Sequence, residues 1–161
     1  MRYFICRGPA TEKDYAWWSG MTMADARRGI AAVGSLLQRV QADDRTYWLV
    51  RDAPDPEAGP AGAHLLQAYD EYVIAYSESR DVIGPAGMLG AAVPGQPQRL
   101  HVVVVGGQVV ARWRLARTNA SLLVDARPTR NLHAAERQAI DAAVDRYGWF
   151  AGRSVSLHLD G

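Results

Sequence analysis

Thr11-Glu12-Lys13-Asp14-Tyr15-Ala16-Trp17-Trp18-Ser19-Gly20-Met21-Thr22-Met23-Ala24-Asp25 is the stretch that decides how this chain folds. It holds two helix starts in close succession. Thr11 and Thr22 are both good N-cap residues, and each has an acid three positions later, Asp14 and Asp25, as a variant of the capping box requires. Between them, Ser19-Gly20 supplies the residue best able to take positive φ and end a helix. The second helix is predicted from about Met23 to Val33, stopping at Gly34-Ser35. Two short helices joined by a tight glycine turn make a helix-turn-helix.

Leu36 to Val40 and Thr46 to Val50 then read as two strands around the polar turn Gln41-Ala42-Asp43-Asp44-Arg45. A helix-turn-helix followed at once by a hairpin is a winged helix, with Met1 to Cys6 as the end of its first helix. In a DNA-reading winged helix the second helix of the turn enters the major groove. Arg27 and Arg28 lie one turn into it, Lys13 opens the helix before it, and Arg45 lies at the wing tip, within reach of phosphates. Ala24, Ala26, Gly29, Ala31 and Ala32 leave this helix small-sided and short of base-reading Asn or Gln. Sequence-specific readout, shape-based phosphate contact and a purely structural unit all stay open, with weak, phosphate-directed contact preferred. Trp17, Trp18, Tyr47 and Trp48 are expected in the core rather than as a stacking platform.

Arg51 to Gly62 packs three Pro, two Gly and three acids into twelve residues and marks a boundary. The expected organisation is a winged-helix module over 1–51, a linker over 52–63 and an α+β module over 64–161. In the second module His64 to Tyr76 reads as a short strand and an aromatic-acidic turn or helical segment, and Gly84 to Pro97 as loop. Gly106-Gly107 turns a hairpin between Leu100–Val105 and Gln108–Ala116. Val109, Ala111, Trp113 and Leu115 are expected on one face, with Arg112 and Arg114 on the other. A turn at Arg117-Thr118-Asn119-Ala120 leads into a strand over 121–126. A helix from Ala134 to Tyr147, with His133 and Glu136 at its start, precedes a last strand, Ser154 to Leu159. The fold class is α+β: a winged helix followed by a small antiparallel sheet with one packed helix.

The chain of 161 residues is 48% hydrophobic and 22% charged, which excludes wholesale disorder. No apolar run approaches the roughly 18 residues of a membrane span, and no signal peptide is visible at the start. One cysteine, Cys6, makes neither an internal disulfide nor a thiolate metal cage, as suits a reducing cytoplasm. Net charge is +1 overall, but +3 over 1–51, −6 over 52–98 and +4 over 99–161, with Lys13 the one lysine among 18 basic residues. Arginine favours bidentate phosphate contacts, and a GC-rich genome gives the same bias. Arg112 and Arg114 join Lys13, Arg27, Arg28 and Arg45 as candidate DNA contacts. His64, His101, His133 and His158 are scattered without a second ligand at metal spacing, so no metal site is expected. No phosphate-cradling glycine loop or nucleophile elbow is present, and no cofactor is implied. Tyr69, Asp70, Glu71, Tyr72 and Trp113 are candidates for a cleft between modules. Asp70 and Glu71, being adjacent, point apart and do not form a facing acid pair; one of them is expected to cap the following segment or pair with Arg80.

Gly8-Pro9-Ala10-Thr11, Trp17-Trp18-Ser19-Gly20-Met21-Thr22 and Ala24-Asp25-Ala26-Arg27-Arg28-Gly29 resemble the winged helix DNA-binding domain-containing family of bacteria. Leu65-Leu66-Gln67-Ala68-Tyr69-Asp70-Glu71-Tyr72 and Gly107-Gln108-Val109-Val110-Ala111-Arg112-Trp113-Arg114 resemble two further stretches of that family. Gln67 departs from its usual Pro, Ala111 from its usual Gly and Leu115 from a frequent second Arg. The family includes tandem winged-helix glycosylases that excise alkylated bases and unhook crosslinks. The resemblance implies DNA as partner and a place in the bacterial cytoplasm, possible association with the nucleoid included. The family's Gln-x-Gln (or Gln-x-Asp) pair belongs to a region ahead of the helix-turn-helix seen here. Gln96-Pro97-Gln98 has the pattern in the wrong place and reads as a chance match. The preferred expectation is therefore a non-catalytic DNA-binding scaffold or regulator, with no catalytic residue assigned. Part of a DNA glycosylase whose Gln-x-Gln region lies outside this chain, and a protein-interaction module, are the alternatives. The oligomeric state is left open.

Overall fold

A computed structural model describes residues 1–54, 62–84, 100–117 and 121–160. The Gln96-Pro97-Gln98 pattern, most of the 84–97 loop, the middle of the linker and the 118–120 turn lie outside the described residues. The chain divides into two compact units, and residues 71–81 belong to the first of them together with the N-terminal segment. The boundary drawn from composition, which assigned everything after 63 to the second module, differs at this point.

The first unit runs α1 (Arg2–Arg7), α2 (Glu12–Ser19), α3 (Met23–Val33), β1 (Leu37–Ala42) and β2 (Arg45–Val50). Thr11 and Asp14 form a full capping box, and the Thr22 hydroxyl accepts from the Asp25 backbone N–H. Gly20 ends α2 in the left-handed region at φ 69°. The hairpin is tighter than the sequence indicated. Leu37 pairs with Val50 through to Ala42 with Arg45, so only Asp43 and Asp44 turn the chain. Asp43 takes φ 50°, which a short carboxylate side chain tolerates. An isolated antiparallel bridge joins Ala10, between α1 and α2, to Trp48 of β2. Tyr3, Phe4, Ala10, Ile30 and Leu37 form the core, with Tyr15, Trp48 and Val50 packed against it. Trp18, expected inside, is 40% exposed, because its indole N–H reaches out to Glu71 at 2.6 Å.

Residues 71–81 close this unit. The short helix α4 (Glu71–Ile74) buries Val73, and Ala75 is buried after it. The Tyr3 hydroxyl donates to Ala75 O at 3.2 Å, Trp17 Nε1 to Ile74 O at 2.8 Å and the Tyr76 hydroxyl to Arg7 O at 3.0 Å. Asp14, fully buried, then accepts from the backbone N–H groups of Ser77, Glu78 and Ser79 at 2.7, 2.7 and 3.2 Å and from the Ser79 hydroxyl at 2.5 Å. A buried carboxylate is tolerable only when hydrogen-bonded in this way.

The second unit is a five-stranded sheet in the order β3 (Ala63–Leu66), β4 (Val102–Val105), β5 (Gln108–Arg117), β6 (Leu122–Pro128), β7 (Val155–Leu159). α5 (Ala134–Ala151) packs on it through Ile140, Ala143 and Val144. The sheet is mixed and not wholly antiparallel, because β7 returns through α5 and pairs parallel with β6. α5 runs one turn beyond the predicted end, to a Gly152 cap at φ 62°. Gly106 and Gly107 turn the β4–β5 hairpin at φ 56° and 77°, as the sequence indicated. One detail of β5 differs. The register shifts between Val103 and Val104, pairing Val104 with Val109 and Val103 with Ala111. Val110 is the extra residue, so Val110 and Ala111 both enter the core while Val109 takes the opposite face.

Candidate nucleic-acid interface

Four cations of the first unit converge on one pocket of about 250 Å³. Lys13 comes from the first turn of α2, Arg27 from α3, Arg39 from β1 and Arg45 from β2 beside the turn. Thr11, Glu12, Met23, Asp44, Thr46, Trp48 and Glu78 complete the wall. Three of the cations, Lys13, Arg27 and Arg45, are legible from the sequence as DNA-contact candidates. Arg39 is not, because its one signal is its register. Arg39 stands opposite Trp48 in the hairpin, which places it beside the helices rather than at the turn.

Most of this positive charge is already countered. Lys13 Nζ donates to Glu78 at 2.5 Å, Arg27 Nε to Glu12 at 2.8 Å, and Arg45 donates to both carboxylate oxygens of Asp81 at 2.6 and 3.0 Å. The bonds to Asp81 and to the Tyr47 side chain hold the Arg45 guanidinium firmly charged. Arg28 turns to its neighbour Asp25 and does not line the pocket. These are exposed or half-exposed pairs, each worth roughly 0.2–1 kcal/mol to the fold.

The other candidates are distributed between the units. Glu71 and Tyr72 lie in the first, Tyr69, Asp70 and Trp113 in the second. Glu71 accepts from Trp18 and from Arg7, and those bonds hold its carboxyl below the usual range. It does not pair with Arg80, whose guanidinium is buried and donates to Tyr76 O at 3.1 and 2.8 Å. Burial pushes the Arg80 pKa down and the nearby Asp14 charge pushes it up, with burial the larger effect. Trp113 sits in the second core, 6% exposed, donating its indole N–H to Leu66 O.

Arg112 and Arg114 project from β5, and Arg114 Nε binds Asp125 at 2.6 Å. Asp125 also meets His158 Nδ1 at 3.0 Å, and His158 Nε2 lies 3.4 Å from Asp160. Asp125, His158 and Asp160 therefore gather their ligand-type atoms within 4.8 Å, a grouping the sequence spacing conceals because it arises from the parallel pairing of β6 with β7. Arg114 in front of Asp125, and Arg127 at 3.7 Å from Asp160, make this an alternating ladder of charges along neighbouring strands. Hydrogen bonding to Asp125 and the Asp160 charge raise the His158 pKa, favouring the imidazolium that the ladder needs.

No helix among the described residues is long and apolar enough to cross a membrane. Among curated proteins, none matches the chain. The solved structure of Streptomyces sahachiroi DNA glycosylase AlkZ matches with a TM-score of 0.70 and 19% identity, over 95% of this chain and 42% of that one. At that identity the likeness is one of fold, and the chain spans less than half the length of that relative. The profile of the family described as DNA glycosylase AlkZ-like matches residues 1–150, nearly the whole chain. The chain thus belongs to the AlkZ-like DNA glycosylase family.

Proposed function

We propose that this chain binds DNA within base-excision repair of damaged bases, and that its first unit does so as a winged helix. The carrying observation is the convergence of Lys13, Arg27, Arg39 and Arg45 on one pocket beside α3 and the hairpin. The order of three helices, a bridging residue before α2 and a hairpin after α3 supports the winged-helix reading. Phosphates meet guanidinium groups bidentately, and such contacts position a protein on a duplex without reading sequence. α3 offers no Asn or Gln for base edges, so contact is shape- and charge-directed. Arg112 and Arg114 of β5 are proposed as further phosphate contacts, Arg28 as a peripheral one. The bacterial cytoplasm is where such a protein would meet its substrate.

Glycosylase activity fits family membership at least as well as a purely scaffolding role. Releasing a base requires a pocket for the flipped nucleotide and a polar group that holds water or steadies an oxocarbenium-like sugar. Glu71, kept ionised by Trp18 and Arg7, is a poor proton donor at neutral pH. The test is binding of an unmodified duplex together with single-turnover excision of a methylated base from a damaged one. Salt-sensitive binding supports the DNA reading. Excision lost in Asp70→Asn or Glu71→Gln would assign the chemistry to that carboxylate.

A further inference from the structure

We infer that residues 71–81 form a built-in phosphate mimic, whose Glu78 and Asp81 carboxylates occupy the pocket's cations and hold down its affinity for DNA. The inference rests on the pocket being a phosphate seat, as proposed above, and adds how that seat is regulated.

Two kinds of contact fix this segment, and Glu78 and Asp81 belong to the second. Its attachment is made by neutral or backbone-directed bonds: Tyr3 to Ala75 O, Trp17 to Ile74 O, Tyr76 to Arg7 O, and Asp14 to the N–H groups of Ser77, Glu78 and Ser79. Val73 and Ala75 of the segment are buried. Of its acidic side chains, Glu71 joins this attachment by accepting from Trp18 and Arg7, while Glu78 and Asp81 take no part in it. Glu78 instead reaches Lys13 and lines the pocket, and Asp81 grips Arg45 through both carboxylate oxygens. The fork-on-fork meeting of guanidinium and carboxylate is also the geometry by which arginine takes a phosphate. The pairs are half-exposed, so they add little to folding. Their larger effect is on a competing anion, because a phosphate entering the pocket must displace a carboxylate held nearby by the backbone.

The mimic has a signature beyond affinity. A cation paired with an internal carboxylate brings no extra neutralisation to DNA, so it adds little to counterion release and to the salt slope.

The experiment measures binding of one fluorescent random-sequence duplex across a salt series by the wild-type chain, by E78Q/D81N, and by D141N/D145N. The last pair lies on the exposed face of α5 and changes net charge equally. Melting curves of all three verify folding, which the Asp14 anchor preserves. The expected result is about 2–30-fold tighter binding by E78Q/D81N at low salt, from two pairs of roughly 0.2–1 kcal/mol each. Its log–log slope should steepen by up to about 0.9 for each freed phosphate contact, with the control close to wild type. Binding by E78Q/D81N where the wild type shows none supports the mimic equally. Unchanged or weaker binding by a folded E78Q/D81N, or an equal gain in the control, overturns the mimic while leaving the phosphate seat standing. Binding by none of the three at low salt overturns both.

Discussion

Arg45 and Asp81, 36 residues apart, are joined by two hydrogen bonds, one to each carboxylate oxygen. The pair ties the start of β2 to the far end of the 71–81 segment, yet both side chains are substantially open to solvent. An exposed pair and a working phosphate contact make opposite demands on a mutant, and this separates structure from function.

Arg45→Ala should leave stability within about 1 kcal/mol of wild type, since the pair is solvent-screened. It should nevertheless weaken DNA binding severalfold at low salt. Chemical denaturation and duplex titration on the same preparation check both halves.

Asp14 carries far more of the fold. Burial acts to raise its pKa, but hydrogen bonds from Ser79, Thr11 and Ser77 outweigh burial and bring it below the usual carboxylate range. Its folded pKa being depressed, its contribution to stability is full above the unfolded pKa and is lost as pH falls through the folded value. Asp14→Ala leaves several buried donors without an acceptor and should cost about 3 kcal/mol or more. Urea unfolding at neutral pH measures the cost, and the mutant should lose part of the wild type's acid sensitivity.

How much of this was legible follows the range of the interaction. The Thr11–Asp14 and Thr22–Asp25 caps span three residues and could be read directly, as could the Gly106-Gly107 turn. Asp14 also looked complete as a capping residue. Nothing local showed that its second oxygen serves Ser77 and Glu78, 63 and 64 residues away. The cations Lys13, Arg27 and Arg45 were visible as charges, but not their carboxylate partners, nor Arg39, which joins them only through hairpin register. The parallel β7 escaped because strand direction depends on where α5 delivers the chain, and the β5 bulge because one inserted valine looks the same as its neighbours.

His158 sits between two carboxylates, with Asp125 the stronger influence, and its pKa is raised. A raised folded pKa gives stability that is full below the unfolded histidine value and lost as pH rises through the folded one. A proton NMR titration should place the His158 midpoint above that of a histidine in an unstructured peptide. In Asp125→Asn it should fall back toward that reference; an unchanged midpoint would show that Asp125 is not the cause.

Arg27 lines the pocket and Arg28 does not, although they are neighbours in sequence. Arg27→Ala should therefore lower duplex affinity more than Arg28→Ala, and by the same factor on unrelated sequences. A loss confined to one sequence would mean that α3 reads base edges.

The most direct measurement is the salt dependence of duplex binding by wild type and by the triple variant R27A/R39A/R45A. Two unrelated duplexes are titrated over the same salt range. If the pocket seats phosphates, wild-type affinity falls with salt at a log–log slope of about −0.9 per neutralised phosphate. The triple variant should then show a slope shallower by about 0.9, the share of Arg39, because Glu12 and Asp81 hold Arg27 and Arg45, and the change should be identical on both duplexes. Wild-type affinity that ignores salt, or a folded triple variant with the wild-type slope, would contradict the account.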